Sequence, residues 1–215
     1  MADATETIIT GSPETPTERT RIIACGAIAR ETIAVLAANG MKHVELTCLP
    51  AKLHLYPEKI PGEIEREILE AKAEGIEQIF IGYADCGTGG LLDAVCDKHG
   101  VERLAGPHCY SFFLGNDEFE ALGDATMTAF FLTDFLARQF DAFVTRPLGL
   151  DRHPELREAY FGNYKKLIFL AQTDDDELDA KAREAAEFLG LAYERIRTGY
   201  GDLATDLKAA TGITA

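Results

Sequence analysis

The sequence lacks the features that mark several classes of protein. Its N-terminus, MADATETIITGSPETPTERT, has neither a basic nor an apolar segment, so no secretory signal is predicted. No apolar run approaches the roughly 20 residues that a membrane-spanning helix needs. Basic residues are few, 21 against 36 acidic ones, and the formal net charge is −15. This charge disfavours nucleic acid and membrane as partners, because both are bound through clusters of Lys and Arg. We expect a cytoplasmic protein with a small-molecule substrate.

Close cysteine pairs such as C-x2-C, the usual mark of structural zinc, are also missing. The chain has five cysteines, an odd number that excludes complete internal pairing. Cytoplasmic proteins keep their thiols reduced, so a disulfide framework is not expected. These cysteines are therefore predicted to be ligands, nucleophiles or packing residues.

The hydrophobic pattern predicts an α/β fold. Residues 1–20, rich in Thr, Glu and Pro, are expected to form a flexible N-terminal tail. Residues 21–215 are expected to form a single α/β domain, with two small lobes as the alternative. Short buried strands alternate with helices of about 10–15 residues, which is typical of a mostly parallel open sheet with helices on both faces, Rossmann-like in class. The predicted strands lie at 21–24, 43–47, 77–84, 101–106 and 166–172, and in LAYERIRTG.

Two segments of the middle region have their own predictions. TAFFLTDFLARQFDAFV is compatible with a strand that runs into a helix or with one buried helix. HPELREAYFGNY is predicted to be a helix with Pro154 in its first turn.

Four of the five cysteines follow predicted strands, at the sheet edge where open parallel sheets bind ligands. They are Cys25, Cys48, Cys86 and Cys109. Packing alone explains any one of them, but their shared edge favours a functional cluster. Cys48 is the weaker candidate, because Leu-Pro follows it and no glycine opens space around its sulfur. Cys96 belongs to an apolar helical stripe and is expected to pack in the core.

Histidines extend the cluster towards a metal site. His54 lies in the loop after the second predicted strand, and His108 adjoins Cys109. Zinc binds thiolate and imidazole, and ligands from separate strand ends suit a catalytic site with three protein ligands and one open position. The expected zinc ligands are Cys25, Cys86 and Cys109. His54 or His108 would be the fourth ligand or the acid/base, so the catalytic candidates are Cys86, His54 and His108.

A glycine-rich loop, CGTGG, leads from the third strand into a helix. Its backbone N–H groups and the helix N-terminus are suited to a carboxylate or phosphate of a ligand. The alternative is a tight strand-to-helix turn. Neither G-x-G-x-x-G nor G-x-x-x-x-G-K-[ST] occurs, so nucleotide binding is not predicted. The candidate cofactor-binding residues are Gly87, Thr88, Gly89 and Gly90.

Three arginines form a local basic stretch, DFLARQFDAFVTRPLGLDRHPEL. Arg138, Arg146 and Arg152 are candidates for a clamp on a substrate carboxylate. The alternative is that they pair with the acidic residues beside them.

Several segments together resemble the DUF1638 family, whose name denotes a domain of unknown function. They are ACGAIARE, LPAKLHLYPEKI, GYADCGTGGLLD, GPHCYSFF, FFLTDFLARQFD and GLDRHPELREAYFGNYKKLIFLAQ, and the resemblance runs from about residue 21 to about residue 207. The family's motifs correspond here to Cys25, His54, residues 86–90, His108 and Cys109. Family members often accompany corrinoid-dependent methyltransferase systems for methylated amines, which implies one-carbon metabolism and a corrinoid protein as partner.

Three hypotheses follow from the residues and the resemblance. The first is a zinc-dependent enzyme of small-molecule one-carbon metabolism, in which methyl transfer with a corrinoid system is implied by the family context alone. The second is a non-catalytic accessory protein that carries a metal or binds a corrinoid partner. The third is an enzyme in which Cys86 is a metal-free nucleophile or a redox thiol paired with Cys25 or Cys109.

Overall fold

The computed structural model describes residues 6–9 and 19–211. The chain divides into two compact units, residues 1–112 with 202–215 and residues 113–201. Each unit has its own sheet of mostly parallel strands flanked by helices. The predicted α/β class, consistent with a Rossmann-like architecture, is therefore confirmed. The single α/β domain expected for residues 21–215, and its alternative of two small lobes, stay predictions.

Within the described residues, the first unit has five strands that form one sheet. They are β1 (Glu6–Ile9), β2 (Thr20–Cys25), β3 (Val44–Leu49), β4 (Gln78–Gly82) and β5 (Glu102–Arg103). Their order across the sheet is β1-β3-β2-β4-β5, and all neighbours are parallel except β1 and β3.

The predicted flexible tail contains part of this sheet. Its residues 6–9 form β1, which pairs with β3, and Thr20 begins β2. The Thr-Ile-Ile run of β1 is rich in β-branched side chains, which favour strands. The rest of the predicted tail, apart from Arg19, lies outside the described residues.

Helices and short 3-10 turns connect these strands. The helices are α1 (Ala29–Ala38), α2 (Ile60–Ala73), α3 (Leu91–His99) and α4 (Cys109–Leu114). The 3-10 turns are Gly26–Ile28, Ala51–Leu55 and Pro57–Lys59. Helix α2 buries Ile60, Ile64 and Ile68 completely, because residues four apart share one face of a helix.

One strand is much shorter than predicted. The prediction of residues 101–106 for β5 is wrong in extent, since only Glu102 and Arg103 pair with β4. The chain turns away after Leu104, so that the carbonyls of Gly106 and Pro107 accept hydrogen bonds from the loop that follows β4.

The second unit has three parallel strands in the order of the chain. Its elements are α5 (Asn116–Ala121), β6 (Ala129–Thr133), α6 (Asp134–Arg138), α7 (Leu156–Phe161), β7 (Lys166–Ala171), α8 (Asp176–Leu189) and β8 (Ala192–Arg197). The ambiguous middle segment is thus a strand that runs into a helix. The predicted helix at HPELREAYFGNY is shorter than expected, and Pro154 precedes α7 instead of lying in its first turn.

The last helix, α9 (Gly201–Ala210), returns to the first unit from residue 202 onwards. Its Leu203 and Leu207 are fully buried. Among the helices of the described residues, none has the length and apolar character required to cross a membrane.

The central strands β2 and β4 approach each other closely at one point. Ala24 is paired with Gly82 in the parallel ladder. A Cβ atom at Gly82 would lie 2.7 Å from the Cβ of Ala24 and 3.0 Å from its Cα. Since real Cβ atoms are not found this close to other heavy atoms, only glycine fits here without moving a strand.

We predict that Gly82→Ala lowers the free energy of unfolding by about 1–3 kcal/mol, because overpacking forces the two strands apart. Gly62→Ala is the matched control: Gly62 is exposed in α2, with nothing within 4 Å of the added Cβ. Urea unfolding followed by circular dichroism measures both variants. Equal stability of the two variants would contradict the close approach of β2 and β4.

Candidate functional site

The strand order of the first sheet reverses between β2 and β4. From β2 the chain crosses to β3 on one side, and it later returns to β4 on the other side. Crevices at such reversals, at the carboxyl ends of the strands, are where open α/β sheets bind ligands. Cys25 is the last residue of β2, and Cys86 lies in the loop directly after β4. The structure thus brings these two predicted site residues to the same reversal point.

Cys25 is buried, and donors surround its sulfur. Its Sγ accepts the backbone N–H of Ala27 at 3.2 Å and lies 3.6 Å from Nδ1 of His54. Burial raises the pKa of the Cys25 thiol to about 12, and the charge of Glu31 adds to this, although Ala27 and Tyr83 act in the opposite direction as donors. Without a compensating positive charge, Cys25 is therefore a neutral thiol at physiological pH.

His54 links the thiols. Its Nδ1 lies 3.1 Å from the carbonyl oxygen of Ala51. A carbonyl only accepts hydrogen bonds, so we assign the proton of the neutral ring to Nδ1, and Nε2 is left as the acceptor. Burial lowers the pKa of His54, but hydrogen bonding to Cys86, the charge of Cys86 and the Ala51 carbonyl outweigh burial, and the net shift is upward. His54 is thus coupled to both Cys25 and Cys86.

Cys86 has an unusual backbone conformation. Its φ is +51°, and it is the sole non-glycine residue with a positive φ in the described part of the chain. This conformation costs an ordinary residue about 1–2 kcal/mol, and such strain clusters at functional sites. The Cys86 N–H donates to the carbonyl of Pro107 at 2.8 Å, which holds the loop in place. Cys86 is half-buried as a residue, whereas Cys25 is buried.

Cys109 joins the cluster from the loop after β5. It begins α4, and burial of its thiol raises the pKa well above the usual range, with further contributions from the charges of Cys86 and Cys25. The residue as a whole keeps some exposure. Its neighbour His108 packs against Tyr110, with ring centroids 5.1 Å apart, and burial lowers the pKa of His108.

The two remaining cysteines are buried. Cys48 lies within β3, not after it as predicted, because Leu49 continues the ladder and pairs with Cys25. Its charge nevertheless contributes to raising the pKa of Tyr83, so it borders the cluster. Cys96 is buried in α3, where burial raises its pKa to about 11, as its predicted packing role requires.

The glycine loop is satisfied by a carboxylate of the chain itself. Asp85 accepts hydrogen bonds from the Thr88 hydroxyl at 2.7 Å, from the Gly90 N–H at 2.9 Å and from the Gly89 N–H at 3.2 Å. Burial raises the pKa of Asp85, but these donors, with the N–H of Gly87, outweigh burial and lower it. The geometry therefore accounts for the loop as a tight turn. Binding of a ligand anion by residues 87–90 stays a prediction.

Sequence reasoning missed two buried polar residues beside the thiols. Tyr83 is 1% exposed and its ring stacks on His54, with centroids 5.9 Å apart and an interplanar angle of 11°. Glu31 is 4% exposed in the first turn of α1 and influences the pKa of Cys25 and of Cys109. Tyr83 lies within the strand predicted for residues 77–84, where it was expected to pack as an apolar residue. No pattern in ARET distinguishes Glu31 from an exposed helix residue.

The basic stretch of the second unit pairs locally. Arg146 forms an ion pair with Asp141 at 2.5 Å, and Arg152 with Asp151 at 3.7 Å. For these two arginines the alternative of pairing with neighbouring acids is confirmed. Arg138 ends α6, and its use in a carboxylate clamp stays a prediction.

The thiols suit a metal ion in chemistry but not in arrangement. Thiolate and imidazole are the donors that zinc prefers, and metal binding would remove their protons. Within residues 19–211, however, no group of three or more His, Cys, Asp or Glu side chains is positioned to hold a metal ion. The set Cys25, Cys86 and Cys109 would have to move closer together to bind zinc.

We predict that Asp85→Asn lowers the free energy of unfolding by about 1 kcal/mol at neutral pH, as loss of a charged capping acceptor does. Because the folded-state pKa of Asp85 lies below the ordinary value of 3.8, its contribution is present above that pH and is lost as the pH falls further. Urea unfolding from pH 7 to pH 3 should thus show the difference from wild type shrinking below about pH 4. Asp97→Asn, an exposed change on α3, is the control, and a constant difference for Asp85→Asn would refute the role of its charge.

Comparison with known proteins adds one match. A family model described as "Protein of unknown function (DUF1638)" matches residues 48–207. The matched span contains His54, Cys86, His108 and Cys109, whereas Cys25 precedes it. Neither the curated proteins nor the solved structures give a match. Since the family model covers well over half of the 215 residues, the chain belongs to the DUF1638 family.

Proposed function

We propose that the first unit carries the active site of an enzyme that acts on a small molecule, with Cys86 as nucleophile and His54 as its base. The observation that carries this proposal is the place of Cys86, in a loop at the strand-order reversal with a positive φ, and the influence of Cys86 on the pKa of His54 supports it. A cysteine beside a base that a third group orients is the usual arrangement of a thiol nucleophile. Here the orienting group is the carbonyl of Ala51.

The chemistry follows from the tautomer of His54. Because Nδ1 donates to Ala51, the proton of the Cys86 thiol passes to Nε2. The Cys86 sulfur then forms a bond to an electrophilic carbon of the substrate, and the bond from that carbon to its leaving group breaks. The leaving group departs with the bonding electrons, and the protonated imidazole supplies a proton to it.

The environment of Cys86 supports its role over that of the other thiols. Cys25 is 3% exposed, whereas Cys86 is half-buried and lies in a loop at the strand-order reversal. Its positive φ is maintained by the hydrogen bond to Pro107, so the loop holds the thiol in a conformation that it would not adopt freely. A substrate therefore meets Cys86 first.

The family resemblance supports a narrower proposal for the substrate. Family members often accompany corrinoid-dependent methyltransferase systems, which implies one-carbon metabolism. On this proposal Cys86 would receive a methyl group. A corrinoid protein would then be the partner, and the cytoplasm the location. These statements rest on family context, whereas the roles of Cys86 and His54 rest on the backbone geometry of Cys86 and on its electrostatic influence on His54.

We predict that iodoacetamide alkylates Cys86 faster than the other thiols and that His54→Asn slows this reaction about 100-fold, because a general base contributes 10²–10⁴-fold. Asn keeps a donor for the Ala51 carbonyl but cannot take a proton. In wild type the rate should rise with pH through the raised pKa of His54, that is, above pH 6.5, and this inflection should vanish in the variant. Peptide mass mapping measures the rate at each cysteine.

His99→Asn is the matched control. His99 is also a histidine beside an acidic group, since its Nε2 lies 2.8 Å from a Glu65 carboxylate oxygen. It is the last residue of α3 and is not part of the candidate site. Its replacement should leave alkylation of Cys86 unchanged. The proposal fails if Cys86 reacts no faster than free cysteine, or if both histidine variants react alike.

A metal centre is the second candidate, and one observation favours it. The charges of Cys86 and Cys25 both raise the pKa of Cys109, so these thiols repel one another when ionised, and a cation would relieve this repulsion. Cys25, Cys86 and Cys109 would hold the ion after moving closer together. A zinc ion there would supply Lewis-acid polarisation of the substrate.

We predict that, if this second candidate is correct, the chain purified without added zinc contains about one equivalent of metal, as a site with three protein ligands would retain. Cys109→Ser should then lose the metal, whereas Cys96→Ser, in the core of α3, should keep it. Elemental analysis by plasma mass spectrometry decides. A folded chain with only trace metal, and with Cys86 open to alkylation, would leave the thiol nucleophile as the function.

A further inference from the structure

The hydroxyl of Tyr83 is buried, and the acceptor that influences it most is a thiol. Tyr83 is 1% exposed, and its oxygen makes no well-aligned hydrogen bond within residues 19–211. A hydroxyl buried in this way makes the fold less stable than one with a good acceptor would. Buried polar groups of folded proteins nearly always have partners, so this one calls for an explanation.

The surroundings of this hydroxyl are the thiols of the proposed active site. The Cys25 thiol influences the Tyr83 hydroxyl most among polar groups, both by its charge and as an acceptor of a poorly aligned hydrogen bond, and the charges of Cys86 and Cys48 follow. A neutral thiol is a weak hydrogen-bond acceptor, so Cys25 satisfies this donor only in small part. Burial is the main cause that raises the pKa of Tyr83, and the hydroxyl therefore keeps its proton as a donor.

The position of Tyr83 is fixed by its neighbours. It directly follows β4, whose Gly82 lies against Ala24 of β2, and its ring stacks on His54 at 5.9 Å. The phenol thus cannot turn its hydroxyl to solvent without breaking the stack on His54. An acceptor has to come to the hydroxyl.

We propose that Tyr83 donates a hydrogen bond to an oxygen of the substrate, and that the site takes small molecules with a carbonyl or carboxylate oxygen next to the carbon that Cys86 attacks. This inference rests on the proposed nucleophile and narrows its substrate class. A methyl group carried by a corrinoid offers no acceptor to Tyr83, so this inference selects a different substrate from the methyl group that the family context suggests. An adjacent carbonyl oxygen would fill the unsatisfied position while its neighbouring carbon faces Cys86.

Two alkylating probes of different chemistry test the proposal. Iodoacetamide carries a carbonyl oxygen beside its reacting carbon, and methyl iodide carries none, while both form one carbon–sulfur bond and release iodide. The measured quantity is the ratio of their rates at Cys86, divided by the same ratio for free cysteine. In wild type this normalised ratio should favour iodoacetamide about tenfold, as one gained hydrogen bond allows.

Tyr83→Phe removes only the hydroxyl and keeps the ring that stacks on His54. The normalised ratio should fall to about one, with the methyl iodide rate unchanged, and the melting temperature should not fall, since an unpartnered hydroxyl is lost. Tyr193→Phe is the control in the second unit, where the hydroxyl donates to Asp179 at 2.5 Å. That variant should lose stability and keep the wild-type ratio.

The outcomes separate this inference from the proposed function. If Cys86 reacts fast with both probes and Tyr83→Phe leaves the ratio unchanged, the donor role of Tyr83 is wrong while the nucleophile stands. If the variant is destabilised, its hydroxyl has a structural partner and the inference is overturned. If Cys86 reacts with neither probe faster than free cysteine, the proposed nucleophile itself fails.

Discussion

The contact between Ala24 and Gly82 sets the geometry of the first unit at its carboxyl edge. With no Cβ on Gly82, β2 and β4 pair at a separation that a larger residue would prevent. The chain then leaves β2 at Cys25 and passes Tyr83 as it leaves β4. Every group of the candidate site depends on this contact, because the strand ends determine where the thiols and the phenol meet.

Burial and hydrogen bonding compete within that site, and the balance differs from group to group. At Cys25 and Cys109 the effect of burial exceeds that of hydrogen bonding, so the pKa values are raised and these thiols keep their protons. At His54 and Asp85 the hydrogen-bonding partners outweigh burial. The pKa of His54 therefore rises and that of Asp85 falls. The edge of the sheet therefore combines neutral thiols, a basic imidazole and an internally satisfied carboxylate, and the imidazole is the group best suited to move a proton.

Part of this arrangement could be predicted from the sequence. Short apolar runs that end in Cys25 and Cys86 predicted parallel strands with thiols at one edge, since parallel strands share the direction of their carboxyl ends. The extent of β5 could not be predicted, because Gly106 and Pro107 leave the ladder to bind the backbone of the loop after β4. A shift of one or two residues also separated the predicted from the observed place of Cys48, and strand ends carry little pattern to fix them.

The hydrogen-bond partners and directions of the side chains could not be predicted from the sequence. The loop CGTGG has donors suited to an anion, and its sequence gives no sign that the preceding Asp85 takes them. Spacing brought three thiols to one edge but did not give the direction of each sulfur, which decides whether a metal ion fits. The buried positions of Tyr83 and Glu31 depend on tertiary packing that their local patterns do not reveal.

The central claim is that His54 and Cys86 form a coupled pair. Its most direct measurement is the NMR titration of the His54 ring in the wild-type chain and in Cys86→Ala. The account predicts a pKa above 6.5 in wild type and a fall below it in the variant, because removal of Cys86 leaves burial as the main influence. A His54 pKa that is the same in both folded chains would contradict the pairing and, with it, the proposed nucleophile.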